Sequence, residues 1–227
     1  MERFPGLWRG MGVMQKGRAP IKRARADWQK EARERQILDS AVELFASNGR
    51  LPAMAEVAER AGLAKGTLYL YFRGREALWL ELLNGCFDRW VEAIEVQVRT
   101  GRDVPDAIIA GAEADPVLIP LSICNATLIE PNAGPADALR FKDSTAAHIM
   151  RLARFLAPRI GIAEDEARRL VILTYAMLLG LWQMATPTPP VRDAADRARA
   201  PGFWTLDWQA DARAGLRALW SARAPHG

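Results

Sequence analysis

Residues 37–72 carry three short runs of helical apolar spacing, and glycines separate these runs. The first run and the glycine that favours its end are Ile37, Leu38, Ala41, Leu44, Phe45 and Gly49. The second run and its stop are Met54, Val57, Ala58, Ala61 and Gly62. Leu68 and Phe72 mark one face of a third, very short helix. The turn "AGLA" between the second and third runs has the length and the glycine of a helix-turn-helix connection.

The outer face of the third helix carries groups that suit DNA. With its two apolar residues directed inward, the remaining side chains are Lys65, Gly66, Thr67, Tyr69, Leu70 and Tyr71. Gly66 permits close approach of a DNA strand, and Thr67 can contact a thymine methyl group or donate to a base edge. Lys65 and the tyrosine hydroxyls suit phosphate oxygens. The pattern predicts a helix that enters the major groove. The alternative is a surface helix whose tyrosines only cover a core.

Basic residues are concentrated in the first third of the chain. Residues 1–75 contain 15 lysines and arginines against 8 acidic residues, whereas residues 76–227 contain 16 against 19. Positive charge confined to one part of a chain favours a polyanionic partner for that part. The alternative is a solvated basic tail.

The segment "KGRAPIKRARADWQK", residues 16–30, contributes six of these basic residues and a single acidic one. Gly17 and Pro20 favour an extended conformation. An extended basic arm beside a DNA-binding head can place arginines in the adjacent minor groove. We therefore predict that Arg23 and Arg25 contact DNA, with a solubilising tail as the alternative.

The stretches "ILDSAVELFASNGR" and "MAEVAERAGLAKGTLYLYFRGREALWLELL" resemble the DNA-binding region of TetR-family transcriptional regulators. The resemblance covers residues 33–83. It implies a bacterial, all-helical regulator with a three-helix DNA-binding head and a larger helical body for ligand binding and dimerisation. It also implies a homodimer that represses from an inverted-repeat operator and leaves the DNA when a small molecule binds. The expected divisions are a flexible basic arm (1–27), the head (28–75) and the body (76–227).

Residue by residue, the resemblance places DNA contacts at Lys65, Thr67, Tyr69 and Tyr71, with Leu70 at a variable position that faces the bases. Arg75 occupies the place of a basic phosphate contact at the start of the fourth helix. The chain departs from the family pattern at the start of the second helix. Ala53 stands there, where many members have a serine or threonine that caps the helix and contacts phosphate. Losing such a cap costs about 1 kcal/mol, and Pro52 is expected to compensate in part.

The body is predicted to be helical throughout. A long helix runs from Arg75 to Val98, and prolines then punctuate helices near residues 104–114, 117–129, 135–157, 164–184 and 206–222. The penultimate helix is apolar on nearly all sides, which is typical of a helix buried on two sides. One side is predicted to face its own core and the other a partner subunit. The resemblance implies that the last two helices form a four-helix dimer interface.

Candidate ligand-binding residues are polar or large side chains embedded in these apolar helices. They are Asn125, Thr127, His148, Met150, Thr174, Met177 and Trp182. Together they would allow an apolar pocket with a few polar anchors. Taken singly, each is more often an ordinary core residue than a ligand contact. The sequence does not name the ligand.

The sequence contains few residue patterns that would favour another class of protein. Two cysteines and two histidines provide neither a metal-ligand cluster nor a histidine-based catalytic triad, so no cofactor or metal is predicted. No signal segment or 18-residue apolar run is evident, which favours a reducing cytoplasm. A helical enzyme using Glu113 or Glu130 has no paired-carboxylate spacing to support it. A recombinase or DNA-architectural protein with the same head would need a catalytic domain or a wider basic surface.

Overall fold

The computed structural model describes residues 19–186, 191, 193–194 and 206–221, with side chains from residue 28 onward. These residues are helical and contain no strand, which confirms the predicted all-α fold. The helices are α1 (Ala19–Asn48), α2 (Met54–Arg60), α3 (Lys65–Leu68), α4 (Arg75–Arg99), α5 (Val104–Ala114), α6 (Leu118–Cys124), α7 (Pro135–Ile160), α8 (Glu164–Ala185) and α9 (Trp208–Ser221). A π-helical turn (Asn125–Ile129) and a 3-10 turn (Glu130–Asn132) follow α6.

Helices α1–α3 form the head and pack on the start of α4. The apolar faces predicted for the three helices meet in one core, in which Ile37, Val57 and Leu68 are fully buried. The Phe45 ring lies 5.8 Å from that of Trp79, which brings α4 into the same core. The α2–α3 turn passes through Gly62 at φ 66°, a left-handed conformation that glycine adopts without strain. The predicted helix-turn-helix connection is therefore present.

Helix α1 begins earlier than the sequence predicts. The arm was expected to be extended, but the helix starts at Ala19 and runs unbroken to Asn48. The expectation of an extended arm is therefore wrong for residues 19–27, and residues 1–18 lie outside the described part. Pro20 sits in the first turn of the helix, where its missing N–H is not needed. An α-helix is about 10–12 Å across, wider than the roughly 6 Å minor groove.

The start of α2 has no side-chain cap of the kind that the family pattern uses, and Glu56 stabilises it in another way. Ala53 provides no side-chain cap, but its backbone N–H donates to the Glu56 carboxylate at 2.7 Å. Arg50 holds the same carboxylate through two hydrogen bonds of 3.1 and 2.6 Å. These contacts lower the pKa of Glu56 to about 2, chiefly through Arg50 and then through Ala53. Pro52 lies before the cap rather than in the first helical turn, so the help expected from it there is absent.

The body is built around α4, which continues from the head into it. Helices α5 and α7 pack on α4, α8 packs on α7, and α9 packs on α8 and α5. The helix bounds agree with the predicted ranges to within a few residues, except that the expected helix at 117–129 changes into a π-helical turn at Asn125. Arg213 and Arg217 both pair with Asp106, which fastens α9 to α5.

Helix α8 has two apolar faces, as predicted. Its inner face buries Leu170, Val171 and Leu178 against the body. On the opposite face, Ile172 and Leu173 are 41% and 51% exposed in the single chain. Inward burial of one side is confirmed, while coverage of the other side by a partner stays a prediction. No single helix among the described residues is long and apolar enough to cross a membrane. One pair, α5 with Leu118–Asn132, would qualify only if joined across a 78° bend.

Candidate DNA-binding face and ligand-binding body

The short helix α3 separates its residues into a buried side and an exposed side. Leu68 is fully buried and Phe72 is 4% exposed, so both anchor the helix in the head core. Leu70 is 79% exposed and Tyr69 is 47% exposed, so two adjacent large side chains face solvent. Lys65 and Gly66 are also exposed, and Thr67 and Tyr71 are partly buried. Six of the nine predicted contact residues thus lie in the segment 65–71, and Leu70 is its most exposed large apolar residue.

Gly66 has no structural requirement to be glycine. Its backbone does not lie in the left-handed region, and a Cβ atom added to it would meet nothing within 4 Å. The absence of a side chain therefore leaves open space on the outer face of α3. This is the space in which a DNA strand could approach the backbone closely.

Two polar contacts hold the α1–α2 pair in position behind this face. The Gln36 side-chain amide donates to the backbone oxygen of Ala61 at 2.8 Å, which ties α1 to the start of the turn. Arg60 of α2 pairs with Glu43 of α1. At the start of α4, Arg75 is partly buried and lies 3.4 Å from Glu76. A phosphate at Arg75 would compete with this exposed, weak ion pair.

The stretch of α1 that follows the basic arm borders the same face near Tyr71. Residues Arg23 and Arg25 lie on the first turns of α1, and their side chains are outside the described part. Further along the helix, Trp28 is 67% exposed. It borders an open groove of about 640 Å³ together with Lys30, Arg33 and Tyr71. Sequence analysis did not single out Trp28 or Arg33, because their approach to Tyr71 depends on the helical form of the arm.

Among the candidate ligand residues, Asn125 and His148 have environments that suit a binding site. Asn125 is 8% exposed and lies at the start of the π-helical turn. Its Oδ1 atom is buried without a hydrogen-bond partner among the described residues. Nε2 of His148 lies 3.1 Å from Oδ1 of Asn84, and its ring is 6.3 Å from that of Phe87. Burial lowers the pKa of His148.

The other candidates are engaged elsewhere. The Thr174 hydroxyl accepts a hydrogen bond from the Trp220 indole at 3.0 Å, which joins α8 to α9. Met177 packs against Gly215, where an added Cβ would lie 2.8 Å from its sulfur. Thr127 is exposed and donates to the backbone of Ile123. Met150 on α7 and Trp182 near the end of α8 are partly buried. The seven residues thus do not form one site.

An aromatic void lies between α4, α7 and α8 instead. It is lined by apolar and aromatic side chains including Phe87, Trp90, His148 and Tyr175. Its volume is about 30 Å³, which is close to the space of one water molecule. The Phe87 and Tyr175 rings meet edge to face at 5.4 Å, and burial raises the pKa of Tyr175. Phe87, Trp90 and Tyr175 are not among the predicted ligand-binding residues. The aromatic spacing of Phe87 and Trp90 on one face of α4 was the available signal.

The two carboxylates considered for acid–base chemistry are held in ion pairs. Glu113 of α5 lies 3.8 Å from Arg213, and Glu130 lies 2.8 Å from Lys142. Across the described ranges, no group of three or more histidine, cysteine, aspartate or glutamate residues could hold a metal ion.

Comparison with known families covers most of the chain. Residues 37–82 match the family described as "Bacterial regulatory proteins, tetR family", and residues 80–221 match "Tetracyclin repressor-like, C-terminal domain". The fold, a helix-turn-helix head joined through α4 to a helical body, defines a class of DNA-binding regulators. The chain belongs to the TetR family of bacterial transcriptional regulators.

The curated relatives match over shorter segments. The "Fatty acid metabolism regulator protein" of Bacillus subtilis is 35% identical over 72 residues, which are 31% of this chain and 37% of that protein. The transcriptional activator FasR of Mycolicibacterium smegmatis is 34% identical over 86 residues, or 37% of this chain and 39% of that one. The chain therefore spans little more than a third of the length of these relatives.

Solved structures extend the likeness of fold over most of the chain. A TetR-family regulator from Streptomyces coelicolor aligns with a TM-score of 0.55 at 20% identity, covering 84% of this chain and 98% of that one. The regulator FadR from Bacillus subtilis, solved in complex with stearoyl-CoA, aligns with a TM-score of 0.51 at 19% identity. That alignment covers 83% of this chain and 98% of FadR.

Proposed function

We propose that the protein is a ligand-controlled repressor that binds an operator through α3 and the turn that follows it. The observation that carries the proposal is the exposure of Leu70 and Tyr69 beside Lys65 and Gly66, on a helix anchored by the buried Leu68. These exposed apolar side chains do not stabilise the isolated chain, whereas binding in a major groove would cover them. Thr67 and Leu70 face the bases, and Lys65, Tyr69, Tyr71 and Arg75 contact phosphates.

The repressor acts as a homodimer. The outer face of α8 leaves Ile172, Leu173 and Met184 exposed, and a second copy of α8 and α9 would cover them. A two-fold dimer places two heads on an inverted repeat, with half-site centres about 34–36 Å apart or somewhat more. Because a repressor must reach its operator, the protein acts in the bacterial cytoplasm.

The controlling ligand enters the apolar interior between α4, α7 and α8. The aromatic void there is too small for an organic molecule, so binding requires α4 to move relative to α7 and α8. Because α4 continues into the head, such a movement changes the spacing of the two heads. The ligand therefore acts by selecting a body conformation in which the heads no longer fit the operator.

Selection of bound sequences from a random DNA pool, using the full chain, tests this function. We expect an inverted repeat. Thr67→Ala should alter the selected bases and cost about 1–3 kcal/mol in binding. Lys65→Ala should weaken binding to all sequences and reduce the salt slope by about 1. Arg102→Ala, an exposed arginine in the α4–α5 loop, is the matched control and should leave the slope unchanged.

Two outcomes would contradict the proposal. A monomer that selects a non-palindromic site would rule out the dimeric arrangement. Strong binding without any selected sequence would instead favour a DNA-architectural protein. That protein would bind by charge and would not discriminate between operators.

A further inference from the structure

A cleft of about 570 Å³ opens where the head meets the body. Helix α1 contributes Glu34 to its wall, the end of the head contributes Phe72, and α4 contributes Leu80 and Glu81. Phe141 and Asp143 close it from the first half of α7. This volume lies in the range of small-molecule sites in proteins, roughly 300–1,000 Å³. The aromatic void of the body, at about 30 Å³, is far smaller.

The floor of the cleft is apolar. Phe72 and Leu80 are each 4% exposed and Phe141 is 6% exposed, and all three line the cleft. They come from the head, from α4 and from α7, so head and body build the floor jointly. The apolar part of a ligand bound against these residues would remove its own surface and the remaining exposed surface of the floor from water.

The rim of the cleft is acidic. Glu34, Glu81 and Asp143 form no hydrogen bond or ion pair with any described residue, although Lys30 partly offsets the charge of Glu34. Of the two arginines that line the cleft, Arg140 is already paired with Asp137, which leaves Arg73. Among the described residues that line the cleft, four carboxylates thus face two arginines. Burial raises the pKa of Glu34, and the charge of the nearby Glu81 raises it further.

We propose that the cleft binds an amphipathic organic cation, an amine attached to an apolar body. The ammonium group lies between Glu34 and Glu81, where it relieves the repulsion of the two carboxylates. The apolar part lies on Phe72, Leu80 and Phe141. A carboxylate ligand of the same shape would meet uncompensated negative charge. This site is separate from the interior site of the proposed function, and its ligand class follows from its own lining.

Occupancy of the cleft would change DNA affinity because its walls belong to both head and body. A bound cation joins α1 and the end of the head to α7 and so favours one head orientation over others. The Asn84 side chain provides a connection to the interior. It lines the cleft, and its Oδ1 atom is shared by Ser144 and by His148 of the aromatic void.

Isothermal titration calorimetry of the full chain, without DNA, tests the site with three probes of matched shape. They are 4-phenylbutylamine, 4-phenylbutan-1-ol and 4-phenylbutanoate. We expect the amine to bind about tenfold more tightly than the alcohol, because two partly screened ion pairs, with Glu34 and Glu81, contribute up to about 1 kcal/mol each, and the carboxylate to bind most weakly. Equal or tighter binding of the carboxylate would overturn the proposal.

The variant Glu34→Gln/Glu81→Gln keeps side-chain volume and removes the two charges. We expect it to bind the amine and the alcohol with similar affinity. Glu92→Gln is the matched control, since Glu92 is an exposed carboxylate of α4 outside the cleft, and it should keep the tenfold preference. A preference that survives in the double variant would overturn the proposal, and circular dichroism confirms that each variant is folded.

Fluorescence anisotropy with the selected operator then measures the effect on DNA binding. We expect 4-phenylbutylamine to change the operator affinity of the parent chain and to have less effect on the double variant. Tetramethylammonium at equal concentration controls for ionic strength. An equal change in both chains would overturn the coupling. A chain that binds no DNA would refute the proposed function, while the calorimetry still decides whether the cleft binds cations.

Discussion

The Trp220 indole nitrogen of α9 donates a 3.0 Å hydrogen bond to the Thr174 hydroxyl of α8. Thr174 is 1% exposed, so the bond lies inside the helix pair that is expected to meet a partner subunit. Thr174, which the sequence predicts to bind the ligand, thus forms a hydrogen bond that joins two helices. Trp220 itself is partly buried, and a hydrogen bond between the two helices contributes to the stability of the body.

Thr174→Val should therefore destabilise the protein by about 0.5–1.5 kcal/mol, because the shape is kept while the hydrogen bond to Trp220 is lost. The midpoint of chemical unfolding, followed by circular dichroism at one protein concentration, measures this. Thr127→Val is the control. Thr127 is exposed, and its replacement should stay within about 0.5 kcal/mol. Equal effects of the two substitutions would show that the Trp220 bond contributes nothing.

Gly66→Ala should weaken operator binding while leaving thermal stability unchanged or slightly raised. A Cβ at Gly66 meets nothing in the protein, and alanine favours helix by about 1 kcal/mol over glycine. Gly62→Ala is the contrasting variant. It should destabilise the head by roughly 1–2 kcal/mol because Gly62 has φ 66°. If Gly66→Ala bound the operator as tightly as the parent, close approach of DNA at this position would be disproved.

Glu56→Ala should lower the thermal stability of the head at neutral pH, since it removes the acceptor of the Ala53 N–H and the partner of Arg50. The folded-state pKa of Glu56, about 2, lies below its ordinary value of 4.5. Its contribution is thus present above pH 4.5 and lost as the pH falls towards 2. Melting curves across this range should show the parent and the variant converging at the acidic end. A difference that stays constant down to pH 2 would contradict the assignment.

Replacement of Arg23 and Arg25 by alanine should weaken binding equally to operators flanked by A·T and by G·C pairs. The arm is helical from Ala19, and a helix is too wide to enter a minor groove as an extended arm does. Phosphate contacts from such a helix are sequence-neutral, so the salt slope should fall by about 2. Binding titrations on both operators at several salt concentrations measure this. A larger loss of affinity for the A·T-flanked operator would instead support insertion of the arm into the minor groove.

Local sequence patterns were sufficient to predict the helix positions, the fold class and the family of this protein. The apolar spacing at Ile37, Met54 and Leu68 predicted the head helices, because spacing along a helix decides which side chains share a face. Prolines and glycines placed the ends of the body helices to within a few residues, because their backbone limits act locally. The fold class and the family follow from these local signals, and so does the list of residues on the outer face of α3.

Only the tertiary structure decided which side chains meet. The Glu56 carboxylate accepts from the Ala53 N–H and is held by Arg50 across a loop, and Thr174 is committed to Trp220 from a helix 46 residues away. The head–body cleft brings Glu34 to Glu81 and Asp143, and no spacing along the chain reveals that meeting. Periodicity fixes the direction of a side chain relative to its own helix. Its partners depend on how separate helices pack, which is set by the sum of many contacts distant in sequence.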